Sequence, residues 1–327
     1  MVDRISSGRS GGMNVVVKFL VFQVIIIGPF IAGYALKRRF DDPARFSRTL
    51  IRANLATIEP AIVFWSVWGL DLSRGLMLLP VAGLALCAAG LVLGLPASRA
   101  LGLGGARGHM FRISAMLANH GFTLGGFACY LILGEQGLAY SFIFVSYFMP
   151  FVFLAVFPYA AHVSKTAAPA TERMPIILGL HNMPLAAIAG ALGLRALGID
   201  RPAIWFPSEA LLLASISVYY LTLGMNFTQG DVRSSWKEIS AMSAIKFLLV
   251  PAAAWIITGL AGFEGTVRAV VIVQSFMPAA IYSVVVSVLY GLDARLASGL
   301  FVGTSVIFLV LVFPLMLLGA RLLGVGI

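Results

Sequence analysis

The chain has 327 residues, of which 60% are apolar and only 11% charged, against roughly 25% charged in soluble domains, so it cannot coat a water-facing surface. Apolar runs of about 20 residues predict membrane-spanning helices rather than a barrel. The net charge of +10 sits in short connectors, where insertion topology and anionic lipid account for it without nucleic acid.

In chain order, residues 1–12 read as a disordered tail. The run from Asn14 to Leu36 is too long for a signal-peptide core and lacks a clear cleavage site, so it reads as a retained first helix. Ten spans fit the chain: 14–36, 49–70, 75–98, 110–133, 138–163, 174–198, 204–226, 237–260, 266–290 and 295–323. The connectors hold breakers and charges, such as Lys37-Arg38-Arg39 before Asp41-Asp42-Pro43, and Gly104-Gly105. The least apolar connector, 164–173, contains Lys165, Pro169 and Glu172 and divides the chain into halves at 13–163 and 174–327. Cys87 and Cys129 both fall in predicted helices, so no disulfide framework is implied.

The halves share a pattern. Residues 134–141 read GEQGLAYS and residues 291–298 read GLDARLAS. Each follows an apolar run broken by special residues: Asn119, Gly121, Gly125 and Gly126 in the first, Pro278 in the second. Each precedes an apolar run carrying Phe-Pro, at Phe157-Pro158 and Phe313-Pro314. Interrupted hydrophobic segments at matching positions point to a transporter binding site. Five helices per half is an odd number, so the second half enters the membrane from the opposite side, an inverted repeat.

Charge sets the orientation. Fifteen of the 23 basic residues fall on one side of this topology: Lys37, Arg38, Arg39, Arg45, Arg48, Arg52, Arg99, Arg107, Arg112, Lys165, Arg173, Arg233, Lys237, Arg295 and, just inside a span, Lys246. The richer side is expected to be cytoplasmic, which places both termini outside.

Individual residues carry the chemistry. A broken helix leaves backbone groups unpaired in hydrocarbon unless something satisfies them. Pro278 removes a donor, and Gly121, Gly125 and Gly126 allow close approach. Half-helix N-termini attract a carboxylate, and Asn119 can add an amide donor, or can serve only an interhelical hydrogen bond. Glu59 lies roughly 15 Å into the second span at 1.5 Å per residue, followed by Pro60. A carboxylate at that depth must be protonated, paired or near water, which suits proton coupling or a neutral structural acid. Lys246 can neutralise a broken-helix end, pair with Glu59, or snorkel to the interface. His120, His181 and Asn182 are packing residues or relays, and Glu209, near Pro207, is expected close to the outer interface. No Cys/His spacing resembles a metal site, and no cofactor is implied.

Three segments resemble the auxin efflux carrier family of transporters. The stretch SAMLANHGFTLGGFACYLILGEQGLAYS is similar to its Asn-x-Gly-Phe-x-Gly pattern and short connector. The stretch VQSFMPAAIYSVVVSVLYGLDARLASGLFVGTSVIFLVLVFPLM is similar to its Met-Pro-Ala segment, Tyr-Gly-x-Asp turn and closing Phe/Leu-Pro. The ending YLTLGMNF is similar to its Leu-Gly-Met/Ala-x-Leu ending. The resemblance implies an all-α membrane protein of ten helices in two inverted five-helix repeats. Helices 4 and 9 are then broken and cross near the midplane, and small organic anions are carried by an elevator-like motion. Many members carry an Asn about four residues after the Pro, where this chain has Tyr282; Gln274 and Ser275 lie just before it. That departure puts the usual two-Asn arrangement in question. The implied substrate-binding set is Asn119, Gly121, Gly125, Gln274, Ser275, Pro278 and Tyr282; Glu59 as a coupling group, with Lys246 as one candidate charge partner, comes from the chain's own chemistry, since the family does not generally carry an acid there.

Enzyme readings find little support. Residues 121–126 lack the strand context of a nucleotide-binding loop, and no HExxH appears. The expected function is a permease for small organic anions in the plasma (inner) membrane, with proton coupling left open. The alternatives are a sodium-coupled bile-acid-type symporter and a non-transporting ligand sensor or channel. The expected partners are the substrate and membrane lipid, and a homodimer is compatible with the chain. A reporter fused at Ile327 is expected to be inactive in the cytoplasm; cytoplasmic activity there would refute the ten-helix topology.

Overall fold

The computed structural model describes residues 15–70, 74–121, 124–164, 183–227 and 230–322. The expected N-terminal tail and nearly all of the 164–173 linker, with His181 and Asn182, lie outside the described residues.

Among the described residues every regular element is a helix, and extended pairing is confined to one bridge, Ala118 to Ala279. The first half supplies α1 (Val15–Leu36), α2 (Pro43–Ala56), α3 (Ile58–Trp68), α4 (Leu79–Ala100), α5 (Gly105–Met116), α6 (Gly125–Val145) and α7 (148–163). The second supplies α8 (Met183–Ala196), α9 (Ser208–Asn226), α10 (Trp236–Leu260), α11 (Gly265–Ser275), α12 (Ile281–Leu289) and α13 (Ala294–Leu322). Five helical stretches are long and apolar enough to cross a membrane: Arg45–Trp68, Gly75–Ala100, Gly125–Val145, Trp236–Leu260 and Ala294–Leu322.

Local chemistry places the ends. Asp42 caps α2 by accepting the Arg45 N–H at 2.8 Å, with Pro43 at the first helical position, where its missing N–H costs nothing. Asp293 caps α13 through the Leu296 N–H at 2.9 Å. Gly134 has φ +69° and Gly291 has φ +60°; each turns the chain where an L side chain is disfavoured, and they are the two glycine anchors of the sequence repeat. A second recurrence was not apparent beforehand. Gly102 and Gly105 have φ +67° and +53°, and Gly262 and Gly265 match them at +66° and +50°. Both loops close with the same backbone bond, Leu103 N–H to Ser98 O at 2.9 Å and Phe263 N–H to Thr258 O at 3.0 Å.

Proline shapes the long helices. A π-helical turn precedes each of three prolines inside helical runs: Val152–Val156 before Pro158, Ile245–Leu249 before Pro251, and Phe308–Val312 before Pro314. Proline lacks an N–H and clashes with the carbonyl four residues earlier, and the wider turn absorbs both defects.

The helices pack in two groups. One comprises α1, α2, α3, α8 and α9, with α1 on α9 and α8 on α3; the other comprises the remaining helices, with α11 on α6, α13 on α5 and α10 on α4. The groups meet where α3 packs on α6. Lipid tails are as apolar as leucine, so tight van der Waals contact must hold such helices together. The α1–α9 pair shows this reciprocally. A Cβ at Gly33 would stand 2.0 Å from the Leu221 carbonyl oxygen, and one at Gly224 would stand 2.0 Å from that of Phe30. Gly33→Ala and Gly224→Ala are each expected to lower stability by about 1–3 kcal/mol. Gly28→Ala, where a Cβ meets nothing within 4 Å, should be close to neutral. Thermal melting of purified protein in detergent checks both, and equal melting of all three variants would rule out the close contact.

Candidate functional site

The two helix breaks face each other. α5 ends at Met116, the described residues 117–121 are irregular, and α6 starts at Gly125. α11 ends at Ser275, and five residues, 276–280, precede α12. The Asn119 N–H donates to the Pro278 carbonyl at 2.8 Å, and the Ala280 N–H donates to the Leu117 carbonyl at 3.2 Å. These reciprocal bonds flank the Ala118–Ala279 bridge. The Ala279 N–H donates to Thr304 Oγ1 on α13 at 3.2 Å. Each break thus supplies donors and acceptors that the other consumes, which a buried backbone requires.

The sequence candidates distribute around this contact. Asn119, Gly121 and Tyr282 are half-buried, while Gly125, Gln274, Ser275 and Pro278 are buried. Gly125 is the site of closest approach: a Cβ there would stand 2.2 Å from Gln274 Oε1 and 2.6 Å from the His120 carbonyl oxygen. Gln274 turns toward α6, its Nε2 3.7 Å from Cys129 Sγ, and its Oε1 has no donor. The Ser275 hydroxyl is spent on its own helix, donating to the Ile272 carbonyl at 2.6 Å. Tyr282 lies on the first turn of α12, its ring edge-on to Phe148 at 5.4 Å.

Lys246 corrects the snorkelling expectation. It is 2% exposed, and its ammonium donates to the Ala115 carbonyl at 2.7 Å and the Leu117 carbonyl at 3.0 Å. A cation therefore sits on the negative C-terminal end of α5, where the helix stops short. The second expectation for this residue also needs correction: no ion pair joins Lys246 to Glu59, because the lysine's donors are engaged at the break in one helix group while Glu59 belongs to the other.

Glu59, 1% exposed, lies in the first turn of α3, just after a break at Thr57 (φ −128°, ψ −70°). Asn54 Nδ2 and Ser215 Oγ each lie 3.5 Å from Glu59 Oε1, and Asn54 Nδ2 donates to Ser215 Oγ at 2.9 Å. Tyr219, one helical turn after Ser215, also reaches the carboxyl, and Tyr282 lies within electrostatic range of it.

Sequence reading left one further network unassigned. His120 Nδ1 lies 2.7 Å from Tyr147 Oη, which lies 3.3 Å from Cys87 Sγ. The chain links the first break to α4 through partners 27 and 60 residues apart in sequence. Periodicity carries no signal for such a contact. At one rim, Arg107 joins three helix starts, 2.6 Å from Glu238 and 3.3 Å from Asp293.

These features define an integral membrane protein whose polar side chains gather at interruptions in apolar helices. Residues 170–317 match the family model described as "Membrane transport protein", the domain of the auxin efflux carrier family. That segment of the chain is therefore similar to the membrane transport domain of this family, which is one of transporters and not of enzymes. The match includes Lys246, Gln274, Ser275, Pro278 and Tyr282; Glu59, Asn119, Gly121 and Gly125 precede it. A search of curated proteins finds no match to the chain.

Lys246→Met would take the donor from the buried Ala115 carbonyl and leave the Leu117 carbonyl with the Ala280 N–H alone. It is expected to lower stability by about 1–3 kcal/mol. A melting temperature equal to that of the parent protein would show that the ammonium is not needed there.

Proposed function

We propose that the protein is a secondary transporter for small organic carboxylates, with its site at the two facing breaks. The observation that carries this reading is the reciprocal pairing of the breaks beside the start of α6 and the start of α12. Helix N-termini carry partial positive charge and exposed N–H groups, which suit a carboxylate. Asn119 adds a neutral amide donor, and Tyr282 adds a hydroxyl in place of a second amide.

The glycine turns that recur in the two halves support an inverted repeat of five helices each, with the fourth and ninth spans crossing at the breaks. The division into two helix groups supports alternating access in which the group bearing the breaks moves against the other, in the manner of an elevator. We place the protein in the plasma (inner) membrane with both termini outside, as the distribution of basic residues favours. Glu59 is the proposed proton-coupling group, since it is an acid buried in a spanning helix, where such residues mark proton relays. A sodium-coupled scheme is less well supported, because the Lys246 ammonium already occupies carbonyl oxygens of the kind that would coordinate Na⁺.

Uptake of labelled small carboxylates into proteoliposomes tests this reading. Uptake should be saturable, should respond to an imposed pH gradient and should persist when Na⁺ is replaced by K⁺. Asn119→Ala should weaken binding roughly 10- to 150-fold, the loss of one hydrogen bond to a charged group. Saturable binding without uptake would favour a sensor, and an unchanged affinity in the Asn119 variant would place the site elsewhere.

A further inference from the structure

We propose that Asn54 and Glu59 form a second subsite of the transport pocket that takes an ammonium group, so that the carried carboxylate is a zwitterion of the amino-acid kind. This proposal rests on the carboxylate-carrier reading above and adds the other end of the molecule.

The argument starts from the break at Thr57. Residues five apart on a continuous helix do not share a face, because neighbours stand three or four apart. The irregular Thr57 between α2 and α3 swings Asn54 and Glu59 together, within 3.5 Å. Ser215, on α9, braces both. This arrangement satisfies one oxygen of the carboxyl and the nitrogen of the amide, and the Tyr219 hydroxyl also reaches the carboxyl. It leaves Glu59 Oε2 and Asn54 Oδ1 buried with no donor, on residues 1% and 3% exposed. Unmet acceptors in a low-dielectric interior are costly, and the cost falls when a donor arrives.

The count of donors selects the ligand group. Two acceptors without partners ask for at least two N–H or O–H bonds. A hydroxyl carries one donor, whereas an ammonium carries three and also brings the charge that an ionised carboxylate lacks here. No lysine or arginine among the described residues pairs with Glu59. The cluster also lies toward the proposed carboxylate site. Tyr282 stands within electrostatic reach of Glu59 and is the second residue of α12, whose N-terminal end is where the carboxylate is placed. Tyr282 thus links the two subsites.

The test compares three acids of one size on the full-length protein in lipid nanodiscs: 2-aminopropanoate, 2-hydroxypropanoate and propanoate. Apparent affinities come from thermal-shift titrations at fixed pH. The amino acid should bind about tenfold or more tightly than propanoate, with the hydroxy acid between them. Glu59→Gln should bring the amino acid and propanoate to within about twofold of each other, since an amide nitrogen replaces an acceptor oxygen. Equal binding of amino acid and propanoate by the unaltered protein would overturn the proposal without using any variant, as would a hydroxy acid that binds best. A ratio that survives Glu59→Gln would also overturn it. If all three acids fail to bind, the carboxylate reading fails with it.

Discussion

A main chain interrupted inside hydrocarbon has no water to turn to, and the rest of this structure depends on how that deficit is met. Here the two interruptions repair one another. Leu117 and Asn119 exchange backbone hydrogen bonds with Ala280 and Pro278, in the manner of two short antiparallel strands. What remains is closed by side chains from outside the breaks: the Lys246 ammonium on the end of α5 and the Thr304 hydroxyl on Ala279. The atoms that close the breaks are thus the same few that the proposed ligand site would use.

Around this contact the helices divide their labour. In one group, α1 and α9 touch backbone to backbone through Gly33 and Gly224 and form a stiff pair. The other group carries the breaks, the π turns and the ion triad of Arg107, Glu238 and Asp293 that gathers three helix starts. The Glu59 cluster lies on α3, the helix of the first group that packs against the second.

Much of the plan was legible from apolar runs and their punctuation. The runs gave the helices, and Gly134 and Gly291 marked turns that need a left-handed backbone. Asn119, Gly125 and Pro278 marked breaks, because each is poorly suited to an uninterrupted helix in a membrane. The resemblance to the auxin efflux carrier family agrees with the match over residues 170–317. What could not be read is the direction of long side chains and the company they keep. Lys246 sits about three turns into its helix, where reaching outward and reaching inward look alike in sequence; only the fold brings the end of α5 within its reach. Glu59 was visible as an acid out of place, but its partners were not. Asn54 joins it only because Thr57 breaks the helix, and Ser215 arrives from 156 residues away. The loop recurrence at Gly102 and Gly262 was hidden because the residues between the glycines differ while the dihedral angles agree.

The two breaks are not equal in length, and that difference has a bearing on what can occupy them. In sequence, eight residues, 117–124, separate α5 from α6, and only five, 276–280, separate α11 from α12. Two identical breaks would present the same chemistry on either side. Here the longer interval holds Asn119 and Gly121, while the shorter one holds Pro278. At the proposed site a guest with two different ends would therefore meet different chemistry at each.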